Sequence, residues 1–128
     1  MRLSMETLQK EKGFYQKAGI RLPAYSVAEA RRLTMERPVW LHFGAGNIFR
    51  AYMAKLQQRL LDQGEVRTGI VAVENFDEEL VDRLYLPYDC LSVLVTLHRD
   101  GSLEKEVIAS VAGALKPSAD RETLRRMM

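Results

Sequence analysis

The feature that most constrains this chain is a change of hydrophobic period around two glycines. VWLHF (39–43) is a short run of strand formers that stops at Gly44-Ala45-Gly46, and the stretch after it turns helical. In NIFRAYMAKLQQRLLDQG (47–64), Phe49, Tyr52, Met53, Leu56, Leu60 and Leu61 recur at intervals of three and four. Arg50, Lys55, Gln57 and Arg59 fall between them, and Gly64 is placed to close the helix. GIVAVEN (69–75) is apolar until Glu74, as a strand covered on both faces reads. Residues 38 to 75 are therefore expected to form a parallel βαβ unit.

The flanks are less restrictive. Residues 1–36 read as an N-terminal helical arm, with a weak pattern through Met5, Leu8 and Phe14 and breakers at Gly13, Gly19 and Pro23. Ser26 and Glu29 have the spacing of a capping box, which predicts a short helix over SVAEARRLT. Asp77 is expected to cap EELVDRLY before Pro87. CLSVLVTLH and LEKEVIASVAG flank Arg99-Asp100-Gly101-Ser102, a strong hairpin signal. Glu104-Lys105-Glu106 reads as a charged edge or exposed strand face. Ser118 is the expected cap of a last helix whose apolar stripe, Leu124, Met127 and Met128, is still running at the end of the sequence. The expectation from this is the front part of a longer protein.

Composition narrows the class of function. With 128 residues, 19 Lys and Arg against 17 Asp and Glu, and the signs mixed along the chain, one domain is expected and a nucleic-acid footprint is not. One Cys, Cys90, cannot close an intrachain disulfide, and no Cys/His cluster has metal spacing. The start lacks the apolar core of a signal peptide, and no apolar run is long enough to span a membrane, so the expected compartment is the cytoplasm.

The chemistry follows from where the glycines sit. At a strand-to-helix turn, Gly44-x-Gly46 lets the backbone turn tightly and leaves room for a pyrophosphate. The free N–H groups and the dipole of the helix beginning near Asn47 would stabilise its charge. Glu74, ending the second strand, is positioned to accept hydrogen bonds from a ribose and to repel a 2′-phosphate, which predicts NAD over NADP. The interval between the glycines and Glu74 exceeds the roughly 20 residues usual for this motif, and the long helix with the EVRT loop accounts for the excess. The third glycine of the fingerprint is replaced by Phe49. Arg50 is a candidate for a phosphate or substrate anion, and Asn47 is a candidate helix cap that also faces the cofactor. Asn75 is a candidate assistant to Glu74. His42 reads as a packed histidine, His98 as solvated and Cys90 as unreactive.

These residues also resemble a family. LHFGAGNIFRAYMAKLQQRLLDQG is similar to the start of the polyol-specific long-chain dehydrogenases, the mannitol dehydrogenase family, whose signature runs Gly-x-Gly-Asn-(Phe or Ile)-x-Arg. Gly44, Gly46, Asn47, Ile48 and Arg50 match it, with Ala45 in the open position. The resemblance implies NAD as cofactor and hydride transfer between a nicotinamide and a sugar alcohol, ketose or hexuronate, without metal. It implies that the catalytic Lys, Asn and His lie in a helical C-terminal domain that nothing in this sequence matches. The fold expected is an α/β Rossmann-like parallel sheet with an added antiparallel hairpin, cut after its early strands. Residues 37–128 would be the N-terminal part of a dinucleotide-binding domain. The competing reading is a stand-alone dinucleotide-sensing or self-associating module. Self-association is expected either way, from an open strand edge and the C-terminal stripe.

Overall fold

The computed structural model describes every residue from Met1 to Met128. Its elements are helices α1 (Met5–Lys10), α2 (Lys12–Lys17), α3 (Val27–Glu36), α4 (Ala54–Asp62) and α5 (Arg121–Met127), with strands β1 (Ile20–Arg21), β2 (Leu41–Phe43), β3 (Ile70–Val73), β4 (Ser92–Leu97), β5 (Leu103–Ile108) and β6 (Val111–Leu115). Single π-helical turns cover Phe49–Met53 and Val81–Tyr85.

The βαβ unit forms as expected. β2 pairs in parallel with β3, Leu41 against Val71 and Phe43 against Val73, and β3 pairs in parallel with β6. The order β2-β3-β6 leaves β2 with a free edge. All of β3 is buried, and its alternation divides two cores. Ile70 and Ala72 pack with Phe49, Ala54 and Tyr85 on one face. Val71 and Val73 pack with Leu115, Leu124 and Met127 on the other. The apolar stripe of α5 thus finds a partner in its own sheet at Leu124 and Met127, and only Met128 stays fully out.

Several expectations are corrected by the packing. The long helix does not bury the face its 3.6-residue period suggests: Tyr52, Leu56 and Leu60 are exposed, while Phe49, Ala54, Gln57, Gln58 and Leu61 are buried. The π turn over Phe49–Met53 is the cause, since one extra residue in a turn moves the inward face one position along. Gly64 does close the helix, with φ +74°. The Gly64 N–H donates to Leu61 O and the Glu65 N–H to Leu60 O, the Schellman pattern.

LEKEVIASVAG, read as one strand, is two. β5 belongs to a second sheet, order β1-β5-β4, and β6 to the parallel one. The switch falls at Ala109-Ser110, where the Ala109 N–H donates to Gln58 Oε1, the Ser110 hydroxyl to Ala54 O, and Ser110 O accepts from the Ile70 N–H. Within the hairpin, Glu106 is not on an exposed face. It is 2% exposed and takes a bidentate grip from Arg59 at 2.7 and 2.8 Å, plus Arg21 at 3.0 Å.

The N-terminal segment seats on the hairpin sheet. β1 runs parallel to β5, and Leu8, Tyr15 and Val27 bury against Leu91, Val107 and Ala109. Gly13 lies inside α2 instead of breaking it. Ser26 caps α3 by accepting from the Glu29 N–H, but the Glu29 carboxylate turns to Arg32 instead of closing the box. Ser118 caps nothing: it donates to Glu78, and Asp120 occupies the cap position of α5 without a side-chain cap bond, its carboxylate accepting from the Lys116 N–H. EELVDRLY becomes mostly π-helical, and a 3₁₀ turn runs through Pro87 over Leu86–Tyr88.

Candidate functional site

The site is built where β2 hands over to its helix. Gly44 has φ +117°, a conformation that strains any other residue, and its N–H donates to Val73 O, closing the turn onto the neighbouring strand. A Cβ on Gly46 would meet nothing within 4 Å, so this position opens onto free space. Asn47 is the first helical residue and Gly46 occupies the cap position, its carbonyl accepting from the Arg50 N–H at 3.1 Å. The expected cap at Asn47 therefore falls one residue early, and its exposed side chain is left free. The N–H groups of Gly46, Asn47 and Ile48 have no partner within the chain, as the first turn of a helix requires, and they make a ready anion cradle.

Ala45 is fully buried and held from both sides: its N–H donates to Glu74 Oε1 at 2.9 Å, and its carbonyl accepts from the Tyr85 hydroxyl at 2.8 Å. Glu74 Oε2 accepts from the N–H groups of Phe76 at 3.1 Å and Asp77 at 3.0 Å. The Asp77 amide, more than Ala45 and Phe76, holds the Glu74 carboxyl below the ordinary carboxylate range against the opposing effect of burial. With three donors on two oxygens, one acceptor position remains on Oε1.

Arg50 has no carboxylate partner. Its guanidinium lies 5.6 Å from the centre of the Tyr85 ring. Together with Asn47 and Ala51 it lines a groove against Ser92, Val93 and Leu94 at the start of the hairpin. Ile48 is 84% exposed beside the glycine turn, and Asn75 is exposed beyond Glu74. His42 packs by stacking on Phe49 at 4.5 Å between ring centres. His98 is exposed, as expected, with its Nε2 3.1 Å from Glu104. Burial raises the Cys90 thiol above its ordinary range.

Sequence reasoning missed Tyr85 and Gln58. Tyr85 sits in a helical run and carries no local signal, although its hydroxyl shapes a turn 40 residues away. Gln58 looks like a surface residue, yet it braces the crossing strand by donating to Val107 O and accepting from the Ala109 N–H, each at 2.6 Å.

The parallel βαβ unit with its glycine turn defines a Rossmann-like α/β fold. The sequence is 47% identical over 116 residues to D-mannonate oxidoreductase of Thermotoga maritima, a match that covers 91% of this chain and 21% of that protein. The structure superposes with a TM-score of 0.75 on Pseudomonas fluorescens mannitol 2-dehydrogenase in its ternary complex with NAD and D-mannitol, at 26% identity over 97% of this chain and 23% of that one. D-sorbitol dehydrogenase in substrate-free form shares the fold, with a TM-score of 0.71 and 24% identity over 86% of this chain and 22% of that one. No family model matches the sequence. The chain spans about a fifth of the length of these relatives. Sequence and structure together support the family resemblance: over its own length the chain corresponds to the N-terminal part of mannitol dehydrogenase-family proteins. No helix is long and apolar enough to cross a membrane.

Proposed function

We propose that the chain forms the NAD-binding part of a cytoplasmic oxidoreductase that transfers a hydride between a nicotinamide and a sugar alcohol, ketose or hexuronate. The observation that carries the reading is the cradle itself: a glycine turn open at Gly46, three unpaired N–H groups at a helix start, and a carboxylate at the end of the next strand. The pyrophosphate would lie on Gly46, Asn47 and Ile48, with Arg50 adding charge from the groove. The name of the Thermotoga relative and the NAD and D-mannitol of the Pseudomonas complex support the same class.

When bound, the nicotinamide supplies the hydride acceptor or donor. This chain's residues would hold the dinucleotide and select it. The free acceptor position on Glu74 Oε1 suits a ribose hydroxyl, with Asn75 beside it, while the carboxylate charge opposes a 2′-phosphate. A like-charge contact at about 4 Å is worth about 1 to 4 kcal/mol, depending on how wet the site is. The titratable groups of the site, Glu74 and Tyr85, are both tied to the backbone of the chain, so the chain alone is expected to give no turnover with NAD or NADH and a panel of hexitols, ketoses and hexuronates. We include in the proposal that copies of the chain associate through the free edge of β2.

Calorimetric titration with NAD and NADP tests the reading. Wild type should bind NAD more tightly, Gly46→Leu should lose both, and Glu74→Ala should weaken NAD and narrow the preference. An unchanged NAD to NADP ratio in Glu74→Ala would overturn the ribose assignment.

A further inference from the structure

Phe76 is 93% exposed. Lone exposed apolar side chains are ordinary, but this one occupies a particular place. It lies two residues past Glu74, beyond the carboxyl end of the second parallel strand, and open α/β sheets bind their ligands outside those ends. The backbone that carries the ring is also fixed. Glu74 Oε2 accepts from the N–H groups of both Phe76 and Asp77, so a carboxylate already tied to the glycine turn at Ala45 sets where Phe76 leaves the chain.

We infer that Phe76 is the stacking platform for the adenine ring of the nucleotide. The inference rests on the NAD-binding reading above and adds one residue to it. Glu74 would link the two halves of the adenosine: its remaining acceptor position would take a ribose hydroxyl, and its other oxygen holds the turn that carries the exposed aromatic ring. A purine offers a π face whatever its substituents, and an aromatic ring kept out of the core meets that face without breaking any internal packing.

The test is an NMR titration of the ¹⁵N-labelled chain with NAD, ADP-ribose and nicotinamide mononucleotide, for wild type, Phe76→Ala, Phe76→Trp and Gly46→Leu. Phe76→Ala should melt like wild type, since the ring is exposed. It should weaken NAD and ADP-ribose by the same factor, about 5- to 150-fold, and leave the mononucleotide unchanged. Phe76→Trp should retain affinity, with its indole fluorescence quenched by ADP-ribose and not by the mononucleotide. If Phe76→Ala binds ADP-ribose like wild type while Gly46→Leu loses it, the adenine assignment is wrong and the NAD reading stands. If wild type binds neither NAD nor ADP-ribose at millimolar concentration, both fall.

Discussion

Glu74 Oε1 accepts a hydrogen bond from the Ala45 N–H at 2.9 Å, joining the end of the second parallel strand to the middle of the glycine turn. The residue proposed to select the cofactor's ribose is therefore also part of what shapes the glycine turn proposed to hold the pyrophosphate. Any change at Glu74 will be felt in both places.

The acid limb of stability should report this bond. The Glu74 carboxyl titrates below its ordinary range, chiefly through the Asp77 amide. Its contribution is thus fully present above the unfolded value of about 4.3 and is lost as the pH falls through the lower folded value. Glu74→Gln leaves one backbone donor without its acceptor and should cost about 1 to 3 kcal/mol at neutral pH. Urea denaturation across the acid range should show the gap between wild type and Glu74→Gln closing as the pH drops; a constant gap would refute the assignment.

Two glycines should respond in opposite ways. Gly46 has open space at its Cβ position and no positive φ, so Gly46→Leu should cost no more than about 1 kcal/mol, the loss of a favourable cap residue, while abolishing nucleotide binding. A Cβ on Gly69 would stand 2.1 Å from the backbone oxygen of Ser110, against the strand crossing. Gly69→Ala should therefore destabilise by about 1 to 3 kcal/mol or more. Thermal melts of the two variants decide this.

Breaking the buried ion pair should unseat the hairpin. Burial pushes the Glu106 carboxyl up, but the Arg59 and Arg21 contacts outweigh it and hold the group below its ordinary range. Removing the acid takes the bidentate partner from Arg59, which keeps Asp62 at 3.8 Å, and Glu106→Ala is expected to cost about 2 to 3 kcal/mol. A double-mutant cycle with Arg59→Met, read by urea denaturation, should recover much of that loss; strict additivity would mean that the pair is not coupled.

Self-association through β2 should depend on concentration and on edge charge. Val39, 80% exposed, leads into the strand. Light scattering is expected to show association across the micromolar range, and Val39→Lys is expected to reduce it. A clean monomer throughout would exclude this interface.

Much of the site was legible because its signals are local. Gly44 and Gly46 mark a change of period, and Glu74 ends an apolar run, so the three residues of the candidate site stand out without knowing any contact. Glu106 was misread for the opposite reason. An acid between strand residues looks solvated until a cation from a distant helix is brought against it, and Arg59 is 47 residues away. Tyr85 likewise reads as one more apolar position, because its hydroxyl partner lies on another element.

What the sequence determined by itself is the strand, glycine turn, helix and strand of the βαβ unit, and the hairpin at Asp100-Gly101, since period and turn chemistry act between near neighbours. Tertiary structure decided which helix face is buried and where one apparent strand divides between two sheets. The π turn at Phe49–Met53 rotates the face, and Gln58 and Ser110 accept or donate at the crossing. Neither is visible in a 3.6- or 2-residue pattern: the π turn is a local departure from the period itself, and the strand crossing depends on hydrogen bonds between residues far apart in the chain.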